Sequence, residues 1–250
     1  MTHETTKLLE AADRGGDAPR RTPMSAARVA TGGYEVGVVP TGLANLETVV
    51  AAFRRLGRTP RVLDSATDIM DAAYVVLPGV GSFADGMADL RREGWDEALR
   101  RRIRELRPTL GICLGLQLLC EWSDEAPGIP GLGCVPGRTI RLAGGCRIPQ
   151  LGWNRITTPA DAVFLRSGIF YFANSYRLEG GPSGWVTSMG RHGSPFVAGF
   201  ERGGVLACQF HPELSGRVGA GLLNRWLEQA PGASGAVGRR SNNVRLAAAC

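Results

Sequence analysis

Thr109-Leu110-Gly111-Ile112-Cys113-Leu114-Gly115-Leu116-Gln117-Leu118 decides the fold. Thr109–Ile112 reads as a short buried strand and Leu114–Trp122 as a helix, with one cysteine on the turn between them. A nucleophile on such a turn stands above the sheet at a helix N-terminus, and the flanking glycines remove side chains that would clash there. The helix end favours a thiolate, and a free thiol with a pKa of about 8.5 needs such help at neutral pH. The bland alternative is that Cys113 is a small buried apolar residue.

Outward from this turn, strands and helices alternate. Tyr34–Val39 and Ala73–Leu77 are short apolar runs, Arg61–Leu63 suggests another strand, and Val205–Phe210 a last buried one. Asn45–Leu56 has helical spacing with Asn45 as its expected cap. A single helical stretch is expected over Phe83–Leu106, and a closing helix over Gly219–Glu228. From about Gly133 to Phe210 the strands shorten and Gly/Pro punctuation rises, which predicts β-hairpins. The pattern implies an α/β fold whose mostly parallel sheet is covered on both faces, with an antiparallel extension. Residues 1–32 and 231–250 are expected to be disordered tails around one domain at 33–230.

The 250 residues are 44% hydrophobic and 21% charged, an ordinary globular balance. A pI of about 9.3 invites a nucleic-acid reading. The five basic and four acidic side chains of residues 1–32, and the three arginines of 231–250, leave 21 basic against 19 acidic side chains between them. The body therefore carries no basic field for a phosphate backbone. The six cysteines, at 113, 120, 134, 146, 208 and 250, form no CxxC pair. No metal or other cofactor is expected. No apolar run approaches the ~20 residues that span a bilayer. The acidic residues near the N-terminus argue against a transit peptide, so a cytoplasmic location is expected.

A thiol that expels an amine needs an acid/base partner, and elimination selects it. Of the three histidines, His3 lies in the N-terminal tail and His192 in a turn-like Arg-His-Gly-Ser-Pro segment. His211 directly follows the strand Val205–Phe210, at the sheet end where such folds gather their sites. Glu213, two residues on, can fix the imidazole tautomer and stabilise the imidazolium. A developing oxyanion needs donors. The Leu114 N–H is one candidate, and Gly79 or Val80 of Pro78-Gly79-Val80-Gly81 supplies another. Taken alone, that loop also reads as a plain β-to-α turn.

Together these residues resemble the glutaminase subunit family of imidazole glycerol phosphate synthase. The stretches that carry the likeness are LPGVGSF (77–83), GICLGLQLL (111–119), SDEAPGIPGLG (123–133), LGWN (151–154), FYFANSY (170–176) and QFHPELSG (209–216). The resemblance implies a class I glutamine amidotransferase, flavodoxin-like three-layer fold. It also implies Cys113 as nucleophile, His211 as acid/base and Glu213 as its orienter. Gly81, Gln117, Glu125 and the backbone at Ser175–Tyr176 would hold glutamine. Glu125 suits an α-ammonium and backbone N–H groups an α-carboxylate, although Glu125 taken alone also reads as a solvated loop acid. The implied partner is a barrel-type cyclase that takes up the ammonia in histidine biosynthesis.

Four positions depart from the family pattern. Leu214 stands where a basic residue usually follows His-Pro-Glu, and Val39-Pro40-Thr41-Gly42 replaces Asp-Tyr-Gly. Gln150 and Asn174 each stand where a histidine is usual. Three further readings remain: a diverged paralogue feeding another synthase, of nucleoside or amidino-sugar metabolism; a non-catalytic scaffold; and a glutaminase of pyridoxal phosphate synthesis. The GWN and PGVG segments argue against the last.

Overall fold

The computed structural model describes residues 35–41 and 46–230. The tails expected at 1–32 and 231–250, and Asn45 with its expected cap, lie outside the described residues. The first half alternates strand and helix: β1 (Glu35–Val38), α1 (Leu46–Arg55), β2 (Thr59–Val62), α2 (Ala66–Asp71) and β3 (Tyr74–Leu77). Then come α3 (Phe83–Arg92), α4 (Trp95–Arg104), β4 (Thr109–Ile112) and α5 (Leu114–Leu118). The second half is strand-rich: β5 (Trp122–Ser123), β6 (Arg138–Arg141), β7 (Gln150–Thr157), β8 (Gly168–Asn174) and β9 (Tyr176–Leu178). It ends with β10 (Val186–His192), β11 (Ser194–Arg202), β12 (Val205–Cys208) and α6 (Gly216–Gln229).

The main sheet runs β2-β1-β3-β4-β12-β11-β10-β7-β8. Its pairs are parallel from β2 to β12 and antiparallel from β12 to β8. The expected parallel sheet with an antiparallel extension is thus present. A separate small sheet has the order β5-β6-β9.

Alternate residues of the parallel strands serve two cores. Val36, Val38, Tyr74, Val76, Leu110, Ile112, Leu206 and Cys208 pack with Phe53 of α1 and Trp226 of α6. Val75, Leu77, Val205 and Ala207 pack with Phe83, Leu99 and Leu114 on the opposite face. Burial on both faces explains why these strands read as unbroken apolar runs.

Three expectations are corrected. The helical stretch Phe83–Leu106 is two helices, because Gly94 takes a left-handed conformation at φ 67° between α3 and α4. The helix expected over Leu114–Trp122 is only α5, and Trp122 pairs instead with Arg138 in the small sheet. The sequence reading also missed α2, a six-residue helix capped by Ser65, whose hydroxyl accepts from the Asp68 N–H.

The close approach of α5 to β3 fixes where Cys113 stands. A Cβ on Gly115 would lie 1.9 Å from the Leu77 carbonyl oxygen, and one on Gly79 would lie 2.8 Å from the Leu114 Cβ. Gly115→Ala is expected to cost about 3 kcal/mol, near the top of the usual single-substitution range. At this chain length that is a fall of roughly 6–12 °C in Tm, read by thermal melting. A melting temperature equal to wild type would show that β3 and α5 are not held so closely.

Candidate active site

Cys113 sits on the turn between β4 and α5 with φ 54° and ψ −107°, one of two non-glycine residues at positive φ among those described. Such strain persists only where the surroundings enforce it. The Cys113 N–H donates to the Cys208 carbonyl at 2.7 Å, a Cβ on Gly115 would collide with the Leu77 carbonyl, and one on Gly111 would crowd the backbone of α5 at 3.1 Å.

His211 follows β12. Its N–H donates to the Tyr171 carbonyl at 2.8 Å, and its carbonyl accepts from the Ser215 hydroxyl at 2.6 Å. Ser215 Oγ in turn accepts from the Tyr171 N–H at 3.0 Å, so β8 and the 3-10 turn Pro212–Leu214 hold the histidine from both sides. The ring Nδ1 lies 2.8 Å from Glu213 Oε1, and both side chains are almost wholly buried. The imidazole and Cys113 line the same cavity. Burial disfavours the imidazolium, but the Cys113 and Glu213 contacts outweigh it and hold the His211 pKa up to about 10. Burial pushes the Cys120 and Cys208 thiols well above the usual range and Cys134 up to about 11. None of the three lines either cavity at this site.

A cavity of about 280 Å³ brings Cys113 and His211 together with Gly81, Gln117, Glu125, Ser175 and Tyr176, the residues singled out for glutamine. Pro149, Ala173 and Asn174 also line it. One Glu125 oxygen accepts from the Phe83 N–H at 2.9 Å, which fixes the carboxylate at the head of α3. A second cavity of similar size lies beside His211 and Glu213, bounded by Gly79, Val80, Tyr171 and Leu214.

Two sequence expectations change. The Leu114 N–H is not free, because it donates to the Gly79 carbonyl at 3.3 Å. The Pro78–Gly81 loop thus presents an acceptor beside the thiol where a donor was expected. The loop is anchored by the Thr41 hydroxyl, which donates to the Pro78 carbonyl at 3.0 Å, a role no motif suggested. His192 is elsewhere, with its Nε2 bonded to the Arg147 carbonyl.

This arrangement of a strained cysteine, a buried histidine–carboxylate pair and a polar cavity defines a class. Residues 38–229 match the glutamine amidotransferase class-I family, to which the chain belongs. Within that class it groups with the HisH subunits of imidazole glycerol phosphate synthase. It is 39% identical over 194 residues to that subunit from Symbiobacterium thermophilum, covering 76% of this chain and 91% of the relative. With the Methanothermobacter thermautotrophicus subunit it shares 38% over 197 residues, or 77% of this chain and 98% of the relative. A crystal structure described as a glutamine amidotransferase superposes with a TM-score of 0.64 at 23% identity, covering 77% of this chain and 97% of the other, a likeness of fold alone.

The pKa of His211 is raised above the ordinary 6.5, so its contacts stabilise the fold fully below pH 6.5 and lose that effect as pH rises towards about 10. The melting-temperature difference between wild type and Glu213→Gln is therefore expected to be largest at acid pH and to shrink towards pH 10. A difference that grows with pH would mean that Glu213 does not support an imidazolium.

Proposed function

We propose that this chain hydrolyses glutamine to glutamate and ammonia as the glutaminase subunit of an imidazole glycerol phosphate synthase, and passes the ammonia to a cyclase partner. The observation that carries this reading is one cavity lined by the strained Cys113, by His211 with its Glu213 partner, and by Gln117 and Glu125. Relatives with that name at 38–39% identity favour it over a paralogue feeding another synthase.

In the proposed reaction the Cys113 thiolate attacks the side-chain amide carbon of glutamine, and the carbonyl oxygen takes up negative charge. The imidazolium of His211 gives its proton to the departing nitrogen, which leaves as ammonia. Water activated by the now neutral imidazole then cleaves the thioester, giving glutamate and restoring the thiolate–imidazolium pair. Glu213 keeps the Nδ1–H in place throughout. The oxyanion requires the Leu114 N–H, which the Gly79 carbonyl occupies in this structure. Rotation of the Gly79–Val80 peptide would remove that acceptor and offer the Val80 N–H. The energy for the rotation would come from contacts made only with the partner bound.

The face proposed for that partner is apolar and adjoins the second cavity. Leu151 and Trp153 are 69% and 60% exposed, and Trp153 stacks edge-on against Tyr171 at 5.9 Å. Tyr171, Val80 and Leu214 line the cavity itself. Ammonia leaving the thiol would meet this face beside His211. Leu214 lies on this rim where the family resemblance leads one to expect a basic residue, so any charged contact at that point of the interface is missing.

Cys113→Ala is expected to abolish glutaminase activity while keeping fold and partner binding. A glutamine-derived chloroketone should label Cys113 and no other thiol by peptide mapping. Labelling at Cys120 or Cys208 would overturn the assignment. His211→Asn should lose nearly all activity, Glu213→Gln less, and His192→Asn little.

Coupling is tested by the hydrolysis rate of the chain alone, with its own cyclase and with a cyclase from a relative. We expect a slow rate alone, a rise of at least roughly tenfold with its own partner, equivalent to about 1.4 kcal/mol, and a smaller rise with the relative's cyclase. Equal activation by both cyclases would show that Leu214 does not shape the coupling.

A further inference from the structure

We propose that Gln209 is a positioning residue for the nucleophile, holding the Cys113 sulfur with a side-chain N–H whose direction is fixed by a buried chain of amides. The inference rests on the reading of Cys113 as nucleophile and adds a residue to it. Gln209 is fully buried between Cys208 and Phe210, in a run that otherwise reads as apolar core. Its Nε2 lies 3.6 Å from Cys113 Sγ, and its Oε1 lies 3.1 Å from Gln117 Nε2.

A side-chain amide can be turned over, exchanging its oxygen and nitrogen, so the chemistry of the neighbours must decide which end faces the sulfur. The Tyr176 carbonyl decides it. The same terminal atom of Gln117 faces both Tyr176 O, at 3.3 Å, and Gln209. A backbone carbonyl can only accept, so that atom is the Gln117 nitrogen. A nitrogen with its protons directed outward needs an oxygen opposite, so Gln209 turns its Oε1 to Gln117 and its N–H groups to the sulfur. Asn174 Nδ2 also donates to Tyr176 O, at 2.9 Å, which occupies the second lone pair of that carbonyl. One backbone oxygen thus orients two glutamines in series, and the last delivers a donor to the thiol.

The consequence is chemical. A neutral donor beside the sulfur fixes its position and adds no charge that would compete with His211. The charged or titratable groups around the sulfur are His211, with Glu213 behind it, and Glu125 and Tyr176 on the cavity wall. The Gln209 side chain bonds to Gln117 and Cys113 rather than to any of them. Gln117 spends its amide N–H groups inside the protein, so it has only its oxygen left to accept a hydrogen bond from a ligand in the cavity.

The test compares wild type with Gln209→Met, which keeps the volume and removes the donor. The second variant is Gln117→Leu, which leaves the donor in place and removes its orientation. Iodoacetamide reports on the sulfur alone, because it is neutral and makes no use of the glutamine contacts. Its rate at Cys113 is followed by peptide mapping in the full chain with its cyclase. Loss of one hydrogen bond to a charged acceptor predicts an alkylation rate roughly ten- to hundredfold lower in Gln209→Met, and a smaller loss in Gln117→Leu. For glutamine hydrolysis Gln209→Met should lower kcat by a similar factor and leave KM within about twofold, since Gln209 does not line the cavity. Alkylation of Gln209→Met at the wild-type rate, in protein that melts as wild type does, overturns the inference. So does a change confined to KM. If instead Cys113→Ala keeps full glutaminase activity, it is the proposed nucleophile that fails.

Discussion

The contact between Gly115 and the Leu77 carbonyl fixes where the residues of the candidate site stand. The turn after β4 must pass within contact distance of the end of β3, and only a residue without a Cβ allows it. That closeness forces the left-handed backbone of Cys113 and brings the Gly79 carbonyl against the Leu114 N–H. Parallel pairing then does the rest. Ile112 lies opposite Cys208, so Cys113 emerges beside the end of β12, and His211 follows where that strand gives way to a turn. The candidate site thus lies at the carboxyl ends of β3, β4 and β12, where a parallel sheet leaves its crevice.

Much of this was legible because the residues concerned leave little freedom. The sequence expected a cysteine on a strained turn after a buried strand and, by elimination, His211 beside Glu213, and the structure brings these residues to one cavity. The misread elements lacked such constraint. α2 is too short to show a period, and Ser65 alone did not announce it. The break at Gly94 was hidden because the apolar spacing resumes at once in Trp95, Leu99 and Ile103. The helix after Cys113 was read too long because Leu119 and Cys120 keep its apolar spacing, yet their N–H groups already bond to Leu116 and Gln117, three residues back. Shortened to five residues, α5 offers the thiol less of a helix dipole than a full helix would. That gives weight to side-chain donors such as Gln209.

The direction of a peptide plane is not written in side chains, so the Gly79 carbonyl could not be foreseen. Nor could the role of Gln209, since a glutamine in Val-Leu-Ala-Cys-Gln-Phe looks like a strand residue at its edge. What makes it informative is burial. A polar side chain in a core is destabilising unless its groups are paired, and here both ends are paired, one with an amide and one with the sulfur. Asn174 and Gln150 contrast with it. They face each other across β7 and β8, yet Gln150 Oε1, Gln150 Nε2 and Asn174 Oδ1 are buried without a partner in the described residues.

The site as it stands is complete in its side chains and incomplete in its backbone. Cys113, His211 and Glu213 are gathered at one cavity, but an oxygen sits where the proposed reaction needs a hydrogen. In the proposed reaction an oxyanion placed near Leu114 would be repelled by the Gly79 carbonyl, and neither Cys113 nor His211 can relieve that repulsion. Only the loop can, and its freedom is restricted from one end, because Thr41 holds the Pro78 carbonyl. A rotation is therefore confined to the peptide between Gly79 and Val80, whose side chain is partly exposed beside Leu214 on the apolar rim. A partner that buries Val80 could bias that one peptide without moving the sheet. In the proposed reaction the same constraint that places Cys113 then also limits its use: hydrolysis would wait on a rearrangement that the chain leaves to contacts outside itself.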